Sequence, residues 1–144
     1  MAAAFDEAEM AAERGEVPVG AAISRDGVVV SRAGNRMREM GDPTAHAEML
    51  AIRSACATLG SERLTGCDIH VTLEPCAMCA AAISFARLRR LYFGAEDEKG
   101  GGIAHGGRFF TQPTCHHVPE VYSGIGETRS RQLMRAFFRV RRED

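Results

Sequence analysis

Apolar residues recur along the chain in two rhythms, and the switches between them lay out alternating helices and strands. Ala2 to Arg14 is rich in Ala and Glu and predicts a short helix. Val17, Val19, Ala21 and Ile23 then fall at every second position, the period of a strand. Asp26-Gly27 is a two-residue hairpin signal, and Val28-Val29-Val30 supplies the returning strand. A polar stretch, Asn35 to Asp42, ends in Asp42-Pro43, where a helix start is expected. Met49, Ile52, Cys56 and Leu59 recur at three- and four-residue steps and predict one apolar helix face, with Gly60 as its stop.

The second half repeats the alternation. Ile69, Val71 and Leu73 alternate with His70 and Thr72, a strand pattern. Pro75 opens a helix whose apolar stripe is expected at Met78, Ala82 and Phe85. Leu91-Tyr92-Phe93 reads as a short buried strand. Residues 99–107 are Gly-rich but lack the G-K-[S/T] ending of a phosphate loop, so they read as a flexible connection. Val118 to Tyr122 predicts a last strand. The chain is expected to be helical from Thr128, with Leu133, Phe137 and Val140 inward. Strands alternating with helices imply an α/β layered domain, one sheet covered by helices. No internal repeat or long linker interrupts residues 1–144, so one domain is expected.

Composition narrows the class. At 45% hydrophobic and 26% charged over 144 residues, the chain has the means to bury a core and is not a disordered polymer. No stretch approaches the roughly 20 apolar residues of a membrane span. Asp6, Glu7, Glu9, Glu13 and Glu16 crowd an N-terminal segment that lacks the positive, then apolar, pattern of a secretory signal; a cytoplasmic protein is expected. The 18 basic residues nearly balance the 19 acidic ones. That sum alone argues against a polyanionic partner. By position, however, the acids gather in the first helix, while arginines gather at Arg87, Arg89 and Arg90 and again at Arg129, Arg131, Arg135, Arg139, Arg141 and Arg142. No acidic residue lies between Arg129 and Arg142. A basic stripe of that kind is a docking surface for nucleic acid, although any single arginine is more simply a solvated one.

The odd count of 5 cysteines argues against a disulfide framework. Cys56 and Cys67 sit in apolar patterns and read as small core residues. Cys76 and Cys79 form a C-x-x-C pair directly after Pro75, in the expected first turn of a helix. There the helix dipole favours thiolates, and three-residue spacing puts both on one face, a bite suited to tetrahedral zinc. His46 adds an imidazole. Competing readings are a redox pair, with Ala77 and Met78 between the cysteines in place of the usual Gly or Pro, and a closed structural zinc site. The latter needs a fourth protein ligand; Cys115-His116-His117 is the remaining cluster, and it reads more simply as a polar loop. Three ligands and an open position describe a catalytic zinc, which lowers the pKa of bound water towards roughly 7. Glu48, beside the metal but not bound to it, would move the proton as general base and then general acid. Residues two apart do not share a face within a helix, so His46 and Glu48 converge only if the site wraps a helix's first turn.

The combination His46-Ala47-Glu48 with Pro75-Cys76-Ala77-Met78-Cys79 resembles the zinc-dependent cytidine/deoxycytidylate deaminase superfamily. Further segments resemble its bacterial branch that acts on tRNA adenosine. They are Glu16 to Ala21, Asn35, Asp42 to Glu48, Val71 to Cys76, Phe93-Gly94-Ala95 with Asp97 and Lys99, and Phe137 to Arg142. The resemblance implies a three-layer α/β/α fold, a mixed sheet of about five strands covered by helices, and a homodimer. It implies zinc held by His46, Cys76 and Cys79, with Glu48 as proton shuttle. It implies hydrolysis of the wobble adenosine of an arginine tRNA to inosine, through water attack at C6 of a flipped-out adenine. Asn35, Ala47, Asp97 and Phe138 match positions near the substrate, with Arg139 and Arg141 in the basic tail. Gly100 to His117, including Arg108-Phe109-Phe110, departs from the branch, and no role is assigned to it. Two other readings stay open: a free nucleobase or nucleoside deaminase of the same fold, and a non-catalytic zinc-stabilised RNA-binding module. Glu48 speaks against the module, which has no proton to move.

Overall fold

The computed structural model describes residues 1–143, with side chains described for residues 1–141. The Arg142 side chain therefore lies outside the described residues. Helix α1 spans Ala2–Glu13; strands β1 (Gly20–Arg25) and β2 (Val28–Gly34) form the expected hairpin. Asp26 and Gly27 both take positive φ, 52° and 78°, the geometry that makes Asp-Gly the preferred tight connection between twisted strands. A short helix α2 (Met37–Met40) sits within the polar stretch, and α3 (Ala47–Leu59) follows. The chain continues with β3 (Cys67–Leu73), α4 (Ala77–Phe85), β4 (Arg90–Ala95), a 3-10 turn at Phe109–Thr111, β5 (Glu120–Tyr122) and α5 (Glu127–Glu143).

The sheet order is β2-β1-β3-β4-β5. β1 is antiparallel to β2 and β3, whereas β3–β4 and β4–β5 are parallel. This is the expected mixed five-stranded sheet. One face, with Ala21, Ile23, Ile69, Val71, Leu91 and Phe93, packs on α3 and α4 to form the core. The other carries α1 and α5, which meet where Arg129 pairs with Glu9 at 2.6 Å and stacks on Phe5. Ser130 Oγ donates to the Thr72 carbonyl and pins α5 to β3. Among the described residues, no helix is long and apolar enough to cross a membrane.

Several expectations shift by residues or by face. Val17 and Val19 precede β1 instead of lying in it. α3 starts at Ala47, not beside Pro43, because His46 keeps extended backbone (φ −72°, ψ 152°). Its buried face is Ala47, Glu48, Ala51, Ile52 and Ala55; Met49, Cys56 and Leu59 are only partly buried. Small residues are chosen because the helix lies close on the sheet. α4 likewise buries Cys79, Ala80, Ile83 and Ser84, and Phe85 is 72% exposed. On α5, Val140 points to solvent, while Leu133 and Phe137 are half-buried. Residues 99–107 are not a loose connection. They wrap a buried carboxylate, Glu74, and Gly101 and Gly102 are buried with it.

Candidate active site

Two helix N-termini converge beside the C-terminal end of β3. His46 is the N-cap of α3 and Cys76 the N-cap of α4. His46 does not bond back to its own helix as a Ser or Asp cap would, while the Cys76 sulfur faces Cys79 in the first turn of α4. Both cap positions are given over to other chemistry. Because His46 stands outside the helix and Glu48 lies within its first turn, the two residues converge on one pocket. This resolves the facing problem posed by their spacing.

The donors form a triangle. His46 Nδ1 lies 3.6 Å from Cys76 Sγ and 3.5 Å from Cys79 Sγ. All three ligand atoms lie within 4.8 Å of one another, and among the described residues this is the one His/Cys/Asp/Glu group placed to hold a metal ion. Tetrahedral zinc with ordinary Zn–N and Zn–S bonds sets N···S at about 3.6 Å, so the donor set fits that ion. Hydrogen bonding from Cys79, from His46 and from the Cys79 backbone N–H holds Cys76 at a pKa of about 4, a thiolate. Cys79, beside that thiolate and buried, is pushed up, so the pair retains a proton that a bound cation would displace. The Cys76 bond also raises His46. Burial raises the Glu48 carboxyl, which is 4% exposed, above its ordinary value.

Above the donors opens a cleft of about 290 Å³. Asn35, Ala47, Asp97 and Phe138, far apart in sequence, all line it with His46, Glu48 and Cys76. Asn35 Oδ1 accepts from the Met37 N–H at 3.0 Å, leaving its amide NH2 as the remaining donor. The Glu16 carboxylate accepts from the N–H groups of Arg38 and Glu39, and so fixes α2 and Met37 at the cleft's rim. Arg139 is exposed and outside the cleft lining. Arg141 bonds the Gly15 carbonyl instead. The sequence reading missed Met134, Met37 and Glu74 as lining residues. Met134 could have been found by following Phe138 one helical turn back.

The arginines divide. Arg89 pairs with Asp68 at 2.8 Å and Arg90 with Glu120 at 2.8 Å, at the N-terminal end of β4. That is roughly 17 Å of strand from the cleft end. Arg87 donates to the His116 carbonyl. These three do not form part of a basic surface at the site. Lys99, Arg131 and Arg135 instead line a groove that continues from Leu73, Asp97 and Met134 of the cleft; Glu96 and Glu98 line it too, so its charge is mixed, and Arg131 is paired with Glu127 at 2.6 Å. Cys115-His116-His117 is the polar loop expected, with His117 Nε2 donating to the Leu88 carbonyl at 2.7 Å.

The profile of the cytidine and deoxycytidylate deaminase zinc-binding region matches residues 1–95. A tRNA-specific adenosine deaminase of Agrobacterium fabrum is 60% identical over 144 residues, all of this chain and 95% of its own length. The chain belongs to the zinc-binding cytidine and deoxycytidylate deaminase family, on its tRNA-specific adenosine deaminase branch. Solved structures agree. One, from work on A-to-I editing by tRNA:A34 deaminases at the wobble position of transfer RNA, superposes with a TM-score of 0.91 at 61% identity. It covers 92% of this chain and 96% of that one. A guanine deaminase of Bacillus subtilis is more distant, at 0.65 and 30%, covering 98% and 90%. The family's shared region is zinc-binding, the His46, Cys76 and Cys79 triangle is a donor set compatible with that ion, and the enzyme is a hydrolytic deaminase.

Proposed function

We propose that this enzyme, one deaminase domain across residues 1–144, converts the wobble adenosine of an arginine tRNA anticodon to inosine and releases ammonia. One observation carries the reading: a buried carboxylate, Glu48, shares a cleft with a His/Cys/Cys triangle, and an open groove carrying Lys99 and Arg135 among acidic neighbours runs out of that cleft. Full-length identity of 60% to a tRNA-specific adenosine deaminase supports it.

His46, Cys76 and Cys79 hold zinc, which supplies Lewis-acid activation of a water. Glu48 takes the proton of the attacking water. It delivers that proton to the adenine ring nitrogen as the C6–O bond forms, then takes the second proton from the oxygen now on C6 and gives it to the amino group as the C6–N bond breaks and ammonia leaves. Its burial suits both halves of that cycle. Asn35 and Ala47 meet the flipped base and its sugar. Asp97 and Phe138 close the cleft around it. Lys99 and Arg135 follow the RNA backbone, with Arg139 beyond them; Arg131 is held by Glu127 at 2.6 Å. A free-base deaminase has no use for that groove, and a module without chemistry has no use for Glu48.

The partner is an anticodon stem-loop, and the enzyme is a cytoplasmic homodimer. Support for the dimer is the outward face of α4, where Phe85 stands exposed. The test is to incubate zinc-loaded protein with an ACG-anticodon arginine tRNA and, separately, with free bases and nucleosides. Inosine at the wobble position supports the reading; ammonia from free bases alone overturns it.

A further inference from the structure

Glu74 is a buried carboxylate that the chemistry above does not use; it is 2% exposed. It lies two residues before Cys76, yet apart from Asp97 the partners of its carboxylate come from the segment whose role the sequence left open. Oε1 accepts from the Asp97 N–H at 3.0 Å and from His105 Nδ1 at 2.9 Å. Oε2 accepts from the N–H groups of Ile103 at 3.1 Å, Ala104 at 3.0 Å and His105 at 3.3 Å. The loop is moulded on this one group. A Cβ on Gly101 would run into Oε2, so glycine is required where the chain passes closest.

The consequence reaches the cleft through Asp97. Its amide is fixed on Glu74 Oε1. Its side-chain Oδ1 accepts from the N–H groups of Lys99 at 3.1 Å and Gly100 at 3.0 Å. Asp97 and Gly100 then form one wall of the cleft, and Lys99 lies in the groove that continues from it. A carboxylate can rotate. His105 and Asp97 share the same oxygen, so the imidazole holds that oxygen towards the Asp97 amide. His105 touches no cleft residue but Glu74 in this chain of contacts, and its other nitrogen lies 3.8 Å from Glu96 Oε2 at the surface.

We propose that His105 is a positioning residue: through Glu74 it sets the pose of the Asp97–Gly100 wall, and so governs how tightly the RNA substrate is held, not how fast bound adenosine reacts. The inference rests on the tRNA reading above. Glu48 lies on α3, outside this network, and none of the zinc donor atoms bonds to His105, so the chemical step should be spared.

The test compares wild type, His105→Leu and His105→Asn on an anticodon stem-loop RNA. Asn keeps a side-chain N–H near the position of Nδ1; Leu does not. For His105→Leu we expect KM to rise about tenfold with kcat within about twofold, and zinc content unchanged. His105→Asn should return KM to within about threefold of wild type. Amide exchange at Asp97 should quicken in the Leu variant and recover in the Asn variant, with or without RNA. An unchanged KM and unchanged Asp97 exchange in His105→Leu overturn the proposal. So does a fall in kcat at constant KM, or an Asn variant that folds, holds zinc and behaves like Leu. If the wild type itself fails to deaminate RNA, the tRNA reading falls, and the Asp97 exchange still decides whether His105 sets the wall.

Discussion

Arg141 donates from Nη2 to the carbonyl of Gly15 at 2.6 Å, and its Cζ lies 3.9 Å from the Phe137 ring centroid. Arg38 donates to the same carbonyl at 3.2 Å. The turn after α1 thus ties down both α5, which carries Phe138, and α2, which leads from Asn35. Arg141 spends its guanidinium on this latch. Among the described residues, Arg135 and Arg139 have no ion pair and remain available to phosphate.

The salt dependence of RNA binding separates these roles. Removing one phosphate-binding cation lowers the steepness of log K against log salt by about 0.7 for a single strand. Arg135→Gln is expected to reduce the slope by about that much, and Arg139→Gln likewise. Arg141→Gln should leave the slope unchanged and lower the melting temperature. A reduced slope in Arg141→Gln would show that its guanidinium reaches a phosphate.

Arg89→Ala and Arg90→Ala are expected to leave KM for RNA within about twofold of wild type. Their charges are matched by Asp68 and Glu120 at the far end of β4, and exposed pairs of this kind carry little. Steady-state kinetics on the stem-loop checks this.

Glu48→Gln should reduce turnover by at least about a thousandfold while zinc content and RNA affinity stay near wild type. Gln keeps the shape but cannot carry the proton. Single-turnover inosine formation, with metal analysis and a binding titration on the same preparation, reads all three quantities.

Chelation of zinc should abolish turnover and lower the melting temperature, with both restored by adding zinc back. Cys79→Ala should fail to recover, since two donors remain where three hold the ion. Metal content by mass spectrometry and thermal unfolding check the outcome.

The Glu74–His105 pair gives a pH window. The carboxylate partner raises His105 above 6.5, so this part of the stabilisation is complete below 6.5 and fades as pH rises through the folded value. Hydrogen bonds from His105 and the loop amides hold Glu74 below 4.5 despite its burial, so its part is present above 4.5 and fades as pH falls through the folded value. The loop is held best between the two. An NMR titration should place the His105 midpoint above 6.5, and Glu74→Gln should move it down.

Much of this protein is legible from its sequence because the signals are local. Zinc and proton transfer need particular side chains, and His46, Glu48, Cys76 and Cys79 stand within two short segments. Alternation and helical steps expose the strands and the long helices within a few residues, since periodicity follows from backbone geometry alone. Asn35, Asp97 and Phe138 were placed by resemblance to a family; the cleft brings them to one wall-lined space, which no spacing in the chain could announce.

What only the tertiary structure decided is who meets whom over long separations. Phe85 and Met78 keep helical spacing, yet Cys79, Ala80 and Ile83 take the buried side, because the close approach of α4 to the sheet favours small residues there. The tail and post-helix arginines look alike as letters. Asp68, Glu120, Glu127, Glu9 and Gly15, the last two remote in sequence from their partners, sort the spent ones from the available ones. Glu74 is only an acid in a motif until donors from residues 97–105 gather on it. Local chemistry sets which residues can act; burial and charge pairing, which depend on distant segments of chain, set which of them do.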